Sequence, residues 1–392
     1  MSNSYKAEGS ILMIENIGIV GGGQLGRMLT EAAHPLGYQV TVVETSPDCP
    51  ATKAGSNHIQ GGLKDADAIR QLAEQTDVVT WEIEHIDTGA LIDLASEGYN
   101  IQPSPSTLAV IQDKFTQKQM LIGAGLPVAE SVALAHQEAD TDKSTHLDEV
   151  VRMLGGAVIL KVKTGGYDGR GNLLFDGNYA RVDEALGSDW GNLYAERIVP
   201  FEKELSVVAA RDMQGNIAIY PTAETIHKDN ICHTVITPAR IRPELIADAQ
   251  EIAHETLKQL EGAGIFAIEM FATEDDVIIN EIAPRVHNSG HHTIEANVTS
   301  QFEQHIRAIT GMPLGSTAMR SPAAAMINIL GQCEEPLTRE GMDSVLALPD
   351  THPHFYGKSS RKARKIGHIT VLGSSVEEVL RTANQARNEF TV

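Results

Sequence analysis

Cysteines and long apolar runs are scarce in this chain. The 392 residues include three cysteines, Cys49, Cys232 and Cys333, whose spacing fits no zinc or redox motif. We therefore expect reduced thiols in a cytoplasmic protein. No run approaches the roughly 20 apolar residues of a membrane span, and the polar residues 1–10 lack the basic end and apolar core of a signal peptide. These absences favour the cytoplasm and argue against a membrane partner.

Positive charge is also in short supply. Lysine and arginine number 31 against 52 acidic residues, which gives a net charge of -21 and argues against a nucleic-acid partner. An anionic substrate must therefore meet a local basic cluster. The hydrophobic content of 42% and charged content of 21% are typical of a soluble globular protein, and the length suits two or three domains.

Two apolar runs, residues 267–271 and 277–282, flank the acidic turn 273–276, a pattern that predicts a β-hairpin. With the turn centred on Asp275, antiparallel pairing places Glu269 opposite Glu281, with Cβ atoms roughly 4.5–5.5 Å apart. Like charges this close are destabilising, and a hard cation such as Mg²⁺ would convert the repulsion into a binding site. The alternatives are a solvated acidic hairpin, or a pair in which one glutamate is protonated or turned outward.

The amino-terminal third begins with a strand at 17–20, the glycine turn GGGQLG at 21–26, a helix at 27–33 and a strand at 38–44 that ends at Glu44. This order predicts a doubly wound α/β sheet, with free N–H groups at Gln24 and Leu25. The glycine spacing also fits a dinucleotide fingerprint, so an NAD-linked oxidoreductase is an alternative. A strand at 77–84 places Glu82 and Glu84 on one face at its carboxyl end, where either could bind a ribose diol or face solvent.

The middle third combines a predicted helix at 107–122, which contains Lys114, with a strand at 158–162 that carries Lys161. Four glycines then fall within residues 165–171. We expect this glycine loop to order over a ligand and to deliver Tyr167, Asp168 and Arg170, although an ordinary flexible hairpin has the same composition. A strand at 193–199 is followed by antiparallel strands at 204–210 and 217–223. His227 comes next; a lone histidine is more often a surface or core residue than a ligand.

The carboxyl third supplies polar and basic groups. PRVHNSGHHT at 284–293 directly follows the hairpin; its three histidines could suggest zinc, but they lack an obvious fourth ligand, so we expect an imidazole and an amide that hold substrate. The local basic cluster that the acidic composition requires occurs at Lys358, Arg361, Lys362, Arg364 and Lys365. A nucleotide 5′-phosphate is its natural occupant, and a solvated basic face is the alternative.

Taken together, Lys161, the glycine loop, ERIV at 196–199, Glu204 and the two facing glutamates resemble the ATP-grasp superfamily. The resemblance extends to the 5-(carboxyamino)imidazole ribonucleotide synthase family, ATP-dependent carboxylating enzymes of purine synthesis. The matching motifs occur in the right order between about residues 17 and 370: GGGQLGRM at 21–28, QDK at 112–114, GGYDGRG at 165–171, PRVHNSGHHT at 284–293, YGK at 356–358 and RKIGH at 364–368.

This resemblance implies an α/β and α+β protein with four domains: a Rossmann-like domain at 1–110, an ATP-grasp lid at 111–195, a catalytic subdomain at 196–310 and a substrate-binding domain at 311–392. It implies ATP contacts at Lys114, Lys161, Gly166, Gly169, Gly171, Glu196, Val199, Glu204, His227 and Asn280, and Mg²⁺ ligands at Glu269 and Glu281. Because strict alternation turns Asn280 away from Glu281, we expect its contact through the backbone or a bulge. Implied substrate contacts are Gln24, Leu25, Glu84, Asn288, Lys358, Arg364 and Lys365.

The implied reaction activates bicarbonate with ATP as carboxyphosphate and carboxylates 5-aminoimidazole ribonucleotide. Candidates for that chemistry are Tyr167, Asp168, Arg170, Arg285 and His287. The related formate-dependent glycinamide ribonucleotide transformylases are an alternative, which Asn288 and the YDGRG loop disfavour. Asn172 and His292 depart from the family pattern, where glutamine and an aromatic residue are more usual. A homodimer is expected from the resemblance alone.

Overall fold

The structure is a computed structural model that describes residues 14–134, 143–166, 171–331 and 339–389. Within these residues the strands form three sheets. Tyr167, Asp168, Gly169 and Arg170, all predicted site residues, lie outside the described residues, as does Cys333. None of the described helices is both long enough and apolar enough to cross a membrane.

The amino-terminal sheet is parallel and has the order β3-β2-β1-β4. Its elements are β1 (Asn16–Val20), α1 (Gln24–Ala33), the 3₁₀ helix His34–Leu36, β2 (Gln39–Glu44), α2 (Pro50–Lys53), β3 (Asn57–Gln60), α3 (Ala66–Gln75), β4 (Val78–Trp81) and α4 (Thr88–Ser96). Ile17 and Ile19 pack in one core with α1, whereas Val20 packs in another with α3. Both faces are therefore covered, as the predicted doubly wound sheet requires.

The second sheet is antiparallel, with the order β5-β8-β6-β7. The elements of this region are α5 (Pro105–Gln112), α6 (Lys114–Gly123), β5 (Ser131–Ala133), α7 (Lys143–Met153), β6 (Val158–Val162), β7 (Asn172–Leu174), α8 (Tyr179–Leu186), the 3₁₀ helix Trp190–Asn192 and β8 (Leu193–Arg197). The prediction of one helix at 107–122 is wrong. Asp113 has extended backbone angles and its carboxylate accepts from the Thr116 N–H at 2.8 Å, so it ends α5, caps α6 and places Lys114 in the first turn.

The largest sheet has the order β14-β13-β9-β11-β12-β15-β17-β16, with β10 also paired to β9. Its strands are β9 (Lys203–Arg211), β10 (Ile217–Ile219), β11 (Ala223–Lys228), β12 (Ile231–Thr237), β13 (Gly264–Ala272), β14 (Val277–Ala283), β15 (Ala323–Leu330), β16 (Thr351–Phe355) and β17 (Lys365–Gly373). The accompanying helices are α9 (Pro243–Lys258), the 3₁₀ helix Asn288–Gly290, α10 (Thr293–Ala296), α11 (Gln301–Ile309), α12 (Arg339–Leu346) and α13 (Val376–Glu389). The single strand predicted at 217–223 is in fact divided between β10 and β11.

Alternation along β9 and β13 determines how this sheet is covered. Val207 and Phe266 pack in the core with α9, whereas Val208 and Ile265 pack with α1 and α11 of the opposite layer. The amino-terminal sheet is therefore joined to the largest sheet through a shared apolar core. Strands from the predicted catalytic and substrate-binding domains lie in one continuous sheet, and the domain limits proposed from the sequence stay predictions.

Candidate active site

The hairpin of β13 and β14 places Glu269 directly opposite Glu281, as predicted. The turn is shorter than assumed, because Ala272 pairs with Val277 and Met270 with Ile279, one residue out of the predicted register. A bulge restores that register, since Asn280 is the extra residue on β14 between the pairs at Met270 and Glu269. The two carboxylates consequently share one face of the sheet.

These two carboxylates have different environments. Burial would raise the pKa of Glu281, but the Lys114 ammonium, whose Nζ lies 2.5 Å from Glu281 Oε2, lowers that pKa to about 2. Burial and the charge of Glu281 instead raise the pKa of Glu269 to about 7. A neutral side chain lies beside Glu269: His287 Nε2 is 3.5 Å from Glu269 Oε1, and burial, followed by the charge of Arg285, lowers the His287 pKa to about 3. This pair of hard oxygen ligands fits a Mg²⁺ ion, which would relieve their repulsion.

A buried cluster of two lysines and one glutamate lies beside the hairpin. Lys161 Nζ is 2.7 Å from Glu196 Oε1, and Lys118 Nζ is 2.7 Å from Glu196 Oε2. Lys161 also donates to Asn280 Oδ1 at 3.4 Å, so the bulge brings the Asn280 amide to the same side as the facing glutamates. Burial opposes ionisation of Glu196, but Lys161 and Lys118 lower its pKa. The cluster carries a net positive charge suited to a phosphate.

Lys118 was missed from the sequence. It is fully buried, and burial lowers its pKa despite the nearby Glu196 carboxylate. It lies on α6 four residues after Lys114, a spacing that places both side chains on one helix face. The spacing of four residues from Lys114 could therefore have predicted that Lys118 faces the same site, but the family motif at this helix covers only residues 112–114.

Two further predicted nucleotide residues, Glu204 and His227, act electrostatically on Glu269. Glu204 on β9 and His227 on β11 are in direct contact through a carboxylate oxygen and Nδ1; burial opposes protonation, but the hydrogen bond to Glu204 raises the His227 pKa. Val199 follows β8, and its carbonyl accepts from the Phe201 N–H at 2.9 Å. The Phe201 ring stacks on Phe271 at 4.5 Å between centroids.

Of the predicted loop glycines, Gly166 and Gly171 are described, and Gly171 has a φ of 89° that favours glycine.

The glycine turn before α1 is filled by the protein itself. Glu82 accepts hydrogen bonds from the N–H groups of Gly23 and Gly26, both at 2.5 Å. Burial raises the Glu82 pKa, although these two N–H groups favour its ionised form. Glu44, the carboxylate that a dinucleotide site would direct at a ribose, instead accepts from the Gly22 and Thr45 N–H groups. The N–H groups of Gly22, Gly23 and Gly26 are therefore held by the protein's own carboxylates, which argues against a dinucleotide pyrophosphate in this turn, whereas the N–H groups of Gln24 and Leu25 are not among those that bind Glu44 or Glu82.

The same contacts explain why β4 is shorter than predicted. The Glu82 N–H still donates to the Val20 carbonyl of β1 at 3.2 Å while its carboxylate reaches the glycine turn, whereas Glu84 Oε1 lies 2.7 Å from Arg285 Nη2. Because β4 ends at Trp81, strand alternation does not fix the relative directions of Glu82 and Glu84, and the expectation that they share one face stays a prediction. Gln24 and Leu25 lie between the two glycines whose N–H groups hold Glu82. Gln24 is half-buried, and the Leu25 side chain packs in the core, so Leu25 can contact a ligand at the turn only through its backbone N–H.

The basic segment, defined here as residues 358–365, meets this turn. Lys358 Nζ donates to Gln24 Oε1 at 2.7 Å, and burial, followed by the Arg364 and Lys365 charges, lowers the Lys358 pKa while Glu82 opposes that shift. Arg364 donates to the carbonyl and hydroxyl oxygens of Ser359. Lys358 and Gln24, both predicted to bind the substrate phosphate, are therefore in contact although they lie 334 positions apart.

The segment after β14 closes the site. His287 Nδ1 is hydrogen-bonded to Ser289 Oγ at 2.8 Å, and Ser289 is hydrogen-bonded to Ser206 on β9 at 2.7 Å. Asn288 forms a reciprocal amide pair with Asn328 on β15, at 3.0 and 2.6 Å, which leaves one N–H and one acceptor position of Asn288 for a ligand. Asn328 was not predicted, because no local pattern links it to Asn288.

The alternative of a zinc site at the three histidines finds no support in this geometry. Both ring nitrogens of His292 are hydrogen-bonded, Nδ1 to the Ser289 carbonyl and Nε2 to Thr237 Oγ1. His291 is fully buried against the rings of Phe302 and His368. The one group of three ligand-type side chains found close together in the described part of the chain is Glu251, His254 and Glu255 on α9, away from this segment.

Comparisons with protein families cover most of the chain. Residues 14–112 match the ribonucleotide synthetase preATP-grasp domain, residues 119–302 match the ATP-grasp domain, and residues 324–382 match the phosphoribosylaminoimidazole carboxylase C-terminal domain. The phosphoribosylaminoimidazole carboxylase of Ogataea methanolica is 44% identical over 93% of this chain and 67% of its own. The N5-carboxyaminoimidazole ribonucleotide synthase of Bacillus subtilis is 38% identical over 92% of each chain. The chain thus spans about two thirds of the fungal relatives.

Solved structures agree with these sequence matches. The N5-carboxyaminoimidazole ribonucleotide synthetase of Thermotoga maritima has a TM-score of 0.85 and 42% identity, covering 96% of this chain and 99% of its own. The N5-carboxyaminoimidazole synthase of Aspergillus clavatus, solved with ADP and 5-aminoimidazole ribonucleotide, has a TM-score of 0.86 and 38% identity, covering 96% and 98%. These likenesses extend over all three sheets.

Proposed function

This chain belongs to the N5-carboxyaminoimidazole ribonucleotide synthase family of the ATP-grasp superfamily, and from that premise we propose that it carboxylates 5-aminoimidazole ribonucleotide in purine biosynthesis. The γ-phosphoryl group of ATP passes to a bicarbonate oxygen, giving ADP and carboxyphosphate. The exocyclic amine then attacks the carboxyl carbon, phosphate leaves, and the amine gives up a proton. The observation that carries this proposal is the facing pair Glu269 and Glu281, with the lysine cluster on one side and the substrate residues on the other.

On the nucleotide side, Lys161, Glu196 and Asn280 form one hydrogen-bonded group beside the facing glutamates. We assign this group to the ATP phosphates and base. Lys114, Gly166, Gly169, Gly171, Val199, Glu204 and His227 complete the assignment. Glu269 and Glu281 would hold Mg²⁺, which offsets the charge on the transferring phosphoryl group when bound.

On the ribonucleotide side, Lys358 is already hydrogen-bonded to Gln24 at the start of α1. We assign the substrate phosphate to Lys358, Arg364, Lys365 and the N–H groups of Gln24 and Leu25, because cations and a helix start both favour a phosphate. Glu84 and Asn288 are assigned to the ribose and the base.

Between the two sides, Arg285 and His287 approach the reacting groups. Arg285 supplies a positive charge fixed by Glu84, and His287 has a lowered pKa and is neutral at pH 7, so it can accept a hydrogen bond without repelling Mg²⁺. Tyr167, Asp168 and Arg170 of the glycine loop are assigned to stabilising carboxyphosphate and excluding water, and this assignment rests on the sequence alone.

The experiment that tests this function measures ADP release with 5-aminoimidazole ribonucleotide and bicarbonate. The expected result is ADP release that requires both. ADP release that requires formate and glycinamide ribonucleotide instead would identify the transformylase alternative. A thermal shift with Mg²⁺ and ATP but none with NAD would separate the proposal from an oxidoreductase.

We further propose that the protein acts in the cytoplasm as a homodimer, without nucleic-acid or membrane partners. The acidic composition supports the absence of a polyanionic partner, and the homodimer follows from the family. Light scattering on the purified chain, with and without Mg²⁺-ATP, tests the oligomeric state: a particle of twice the 42.3 kDa chain mass supports the dimer, and a monomer contradicts it.

A further inference from the structure

Three polar side chains lie in one row across the carboxyl-terminal strands. Asn328 on β15 and His354 on β16 are each paired with His368 on β17. Directly opposed residues point to the same face of a sheet, so Asn328, His368 and His354 form a line, here named the polar row. The rings of His354 and His368 stack 4.5 Å apart at an angle of 8°.

Each member of the polar row meets one residue of the segment that follows the active-site hairpin. Asn328 pairs with Asn288, the His368 ring lies 4.8 Å from that of His291, and His354 Nε2 is 2.6 Å from Glu295 Oε1. The segment is helical throughout, because His291 and His292 have right-handed helical angles between the 3₁₀ helix and α10.

The three contacts line up because the helical segment and the sheet repeat at similar distances. Three or four helical residues advance about 4.5–6 Å, close to the roughly 4.8 Å between neighbouring strands. Residues 288, 291 and 295 therefore fall in step with β15, β17 and β16. Burial lowers the pKa of His291 and His368 well below the usual value, so the two rings pack as neutral groups without charge repulsion.

The polar row also borders the basic segment. His354 precedes it on β16 and His368 follows it on β17. Tyr356, in the connection between them, is hydrogen-bonded to His368 Nδ1 at 2.8 Å, and Lys358 Nζ lies 5.9 Å above the Tyr356 ring. A continuous set of contacts thus runs from Lys358 to His291, three residues after Asn288.

We propose that the polar row is a positioning element for carboxyl transfer: it sets the loop that carries Arg285, His287 and Asn288 relative to the basic segment that binds the ribonucleotide phosphate. The inference rests on the proposed function. It adds positioning residues that contact neither ATP nor the ribonucleotide. Its consequence is that the row holds the amine beside the site where carboxyphosphate forms. With the row broken, the bound ribonucleotide still allows carboxyphosphate to form, but its amine is misplaced and part of the carboxyphosphate is lost to water.

The test compares Asn328→Leu and His368→Phe with the wild-type protein. Each variant keeps the branched or planar shape of the side chain at a somewhat larger volume and removes the side-chain hydrogen bonds of the residue it replaces. We expect the KM for 5-aminoimidazole ribonucleotide to rise about tenfold and the KM for ATP to change by less than about twofold. The ratio of ADP released to carboxylated product should rise above its wild-type value.

His305→Phe is the matched control. His305 is another fully buried imidazole, hydrogen-bonded to Thr80 and to the Ile265 N–H outside the row. We expect it to lower thermal stability without changing the ratio of ADP to product. If His368→Phe fails to fold, His354→Phe at the half-buried end of the row gives the same readout.

Two results would count against this account, and they differ. The first is that the row variants resemble His305→Phe: they lose thermal stability, and any fall in kcat comes with an unchanged ratio of ADP to product. In that case the row is only structural and the inference is overturned. If the wild-type protein itself shows no ADP release dependent on 5-aminoimidazole ribonucleotide, the proposed function fails first.

Discussion

Lys114 and Glu281 form an ion pair that makes two facing carboxylates unequal. Because the ammonium favours the ionised form of Glu281, the proton held by the pair resides on Glu269, whose pKa is raised to about 7. A cation that binds both oxygens must displace this proton. The structure thus links metal binding to pH at one identified residue.

Replacing either glutamate by glutamine should separate stability from metal binding. Glu269→Gln removes a repulsion, so we expect the melting temperature of the free protein to stay equal or rise. Both Glu269→Gln and Glu281→Gln should lose the stabilisation by Mg²⁺-ATP and more than about 100-fold in turnover. Differential scanning fluorimetry and the ADP assay measure these effects; a full Mg²⁺-ATP shift in either variant would contradict the metal assignment.

The raised pKa of Glu269 predicts a pH dependence of stability. A carboxyl with a folded-state pKa of about 7, above its unfolded value, contributes stability below the unfolded pKa and loses it as pH rises through 7. We expect the free wild-type protein to lose up to about 3 kcal/mol relative to Glu269→Gln between pH 5 and 8. Urea unfolding of both proteins across this range measures the difference, and parallel pH profiles would refute the prediction.

Lys118 should matter for nucleotide binding more than for folding. Lys118→Met removes a buried ammonium whose pKa burial already lowers and leaves Glu196 paired with Lys161. We expect some loss of thermal stability, because Glu196 Oε2 loses its buried partner, although Lys161 still neutralises the carboxylate through Oε1. The KM for ATP should rise about tenfold, with the KM for 5-aminoimidazole ribonucleotide unchanged. Steady-state kinetics with each substrate varied provides the measurement; an unaltered KM for ATP would remove Lys118 from the nucleotide site.

Glu82 is expected to stabilise the glycine turn. Glu82→Ala leaves the N–H groups of Gly23 and Gly26 without their carboxylate, which should cost about 1–3 kcal/mol. The KM for 5-aminoimidazole ribonucleotide should also rise, because Gln24 and Leu25 lie between those amides. Glu97→Ala, which breaks an exposed pair with Arg70, is the control and should leave the free energy of unfolding nearly unchanged. Chemical denaturation compares the two, and equal losses would contradict the assigned role.

The sequence was sufficient for features governed by local periodicity. The first β-α-β unit and the pairing of Glu269 with Glu281 follow from alternation and turn composition. The pairing was correct although the register at the turn was not, because the Asn280 bulge compensates for the shorter turn. A bulge has no simple local signature, so its place could not be predicted.

Contacts between residues far apart in the sequence could not be predicted from local sequence patterns. The binding of Glu82 to the glycine turn, the pairing of Asn288 with Asn328 and the contact of Lys118 with Glu196 join residues 40 to 78 positions apart. They depend on how sheets and helices dock, which periodicity does not specify. The contact between Lys358 and Gln24 was anticipated, but only because the family resemblance supplied it.

The most direct test of the account is a product measurement on the wild-type protein. With ATP, Mg²⁺, bicarbonate and 5-aminoimidazole ribonucleotide, we predict equal amounts of ADP, phosphate and the N-carboxylated ribonucleotide, and a more than about 100-fold lower rate of forming each with Glu281→Gln. ADP release that ignores the ribonucleotide and bicarbonate, or that is undiminished in Glu281→Gln, would contradict the claim that the facing glutamates serve ATP-dependent carboxylation.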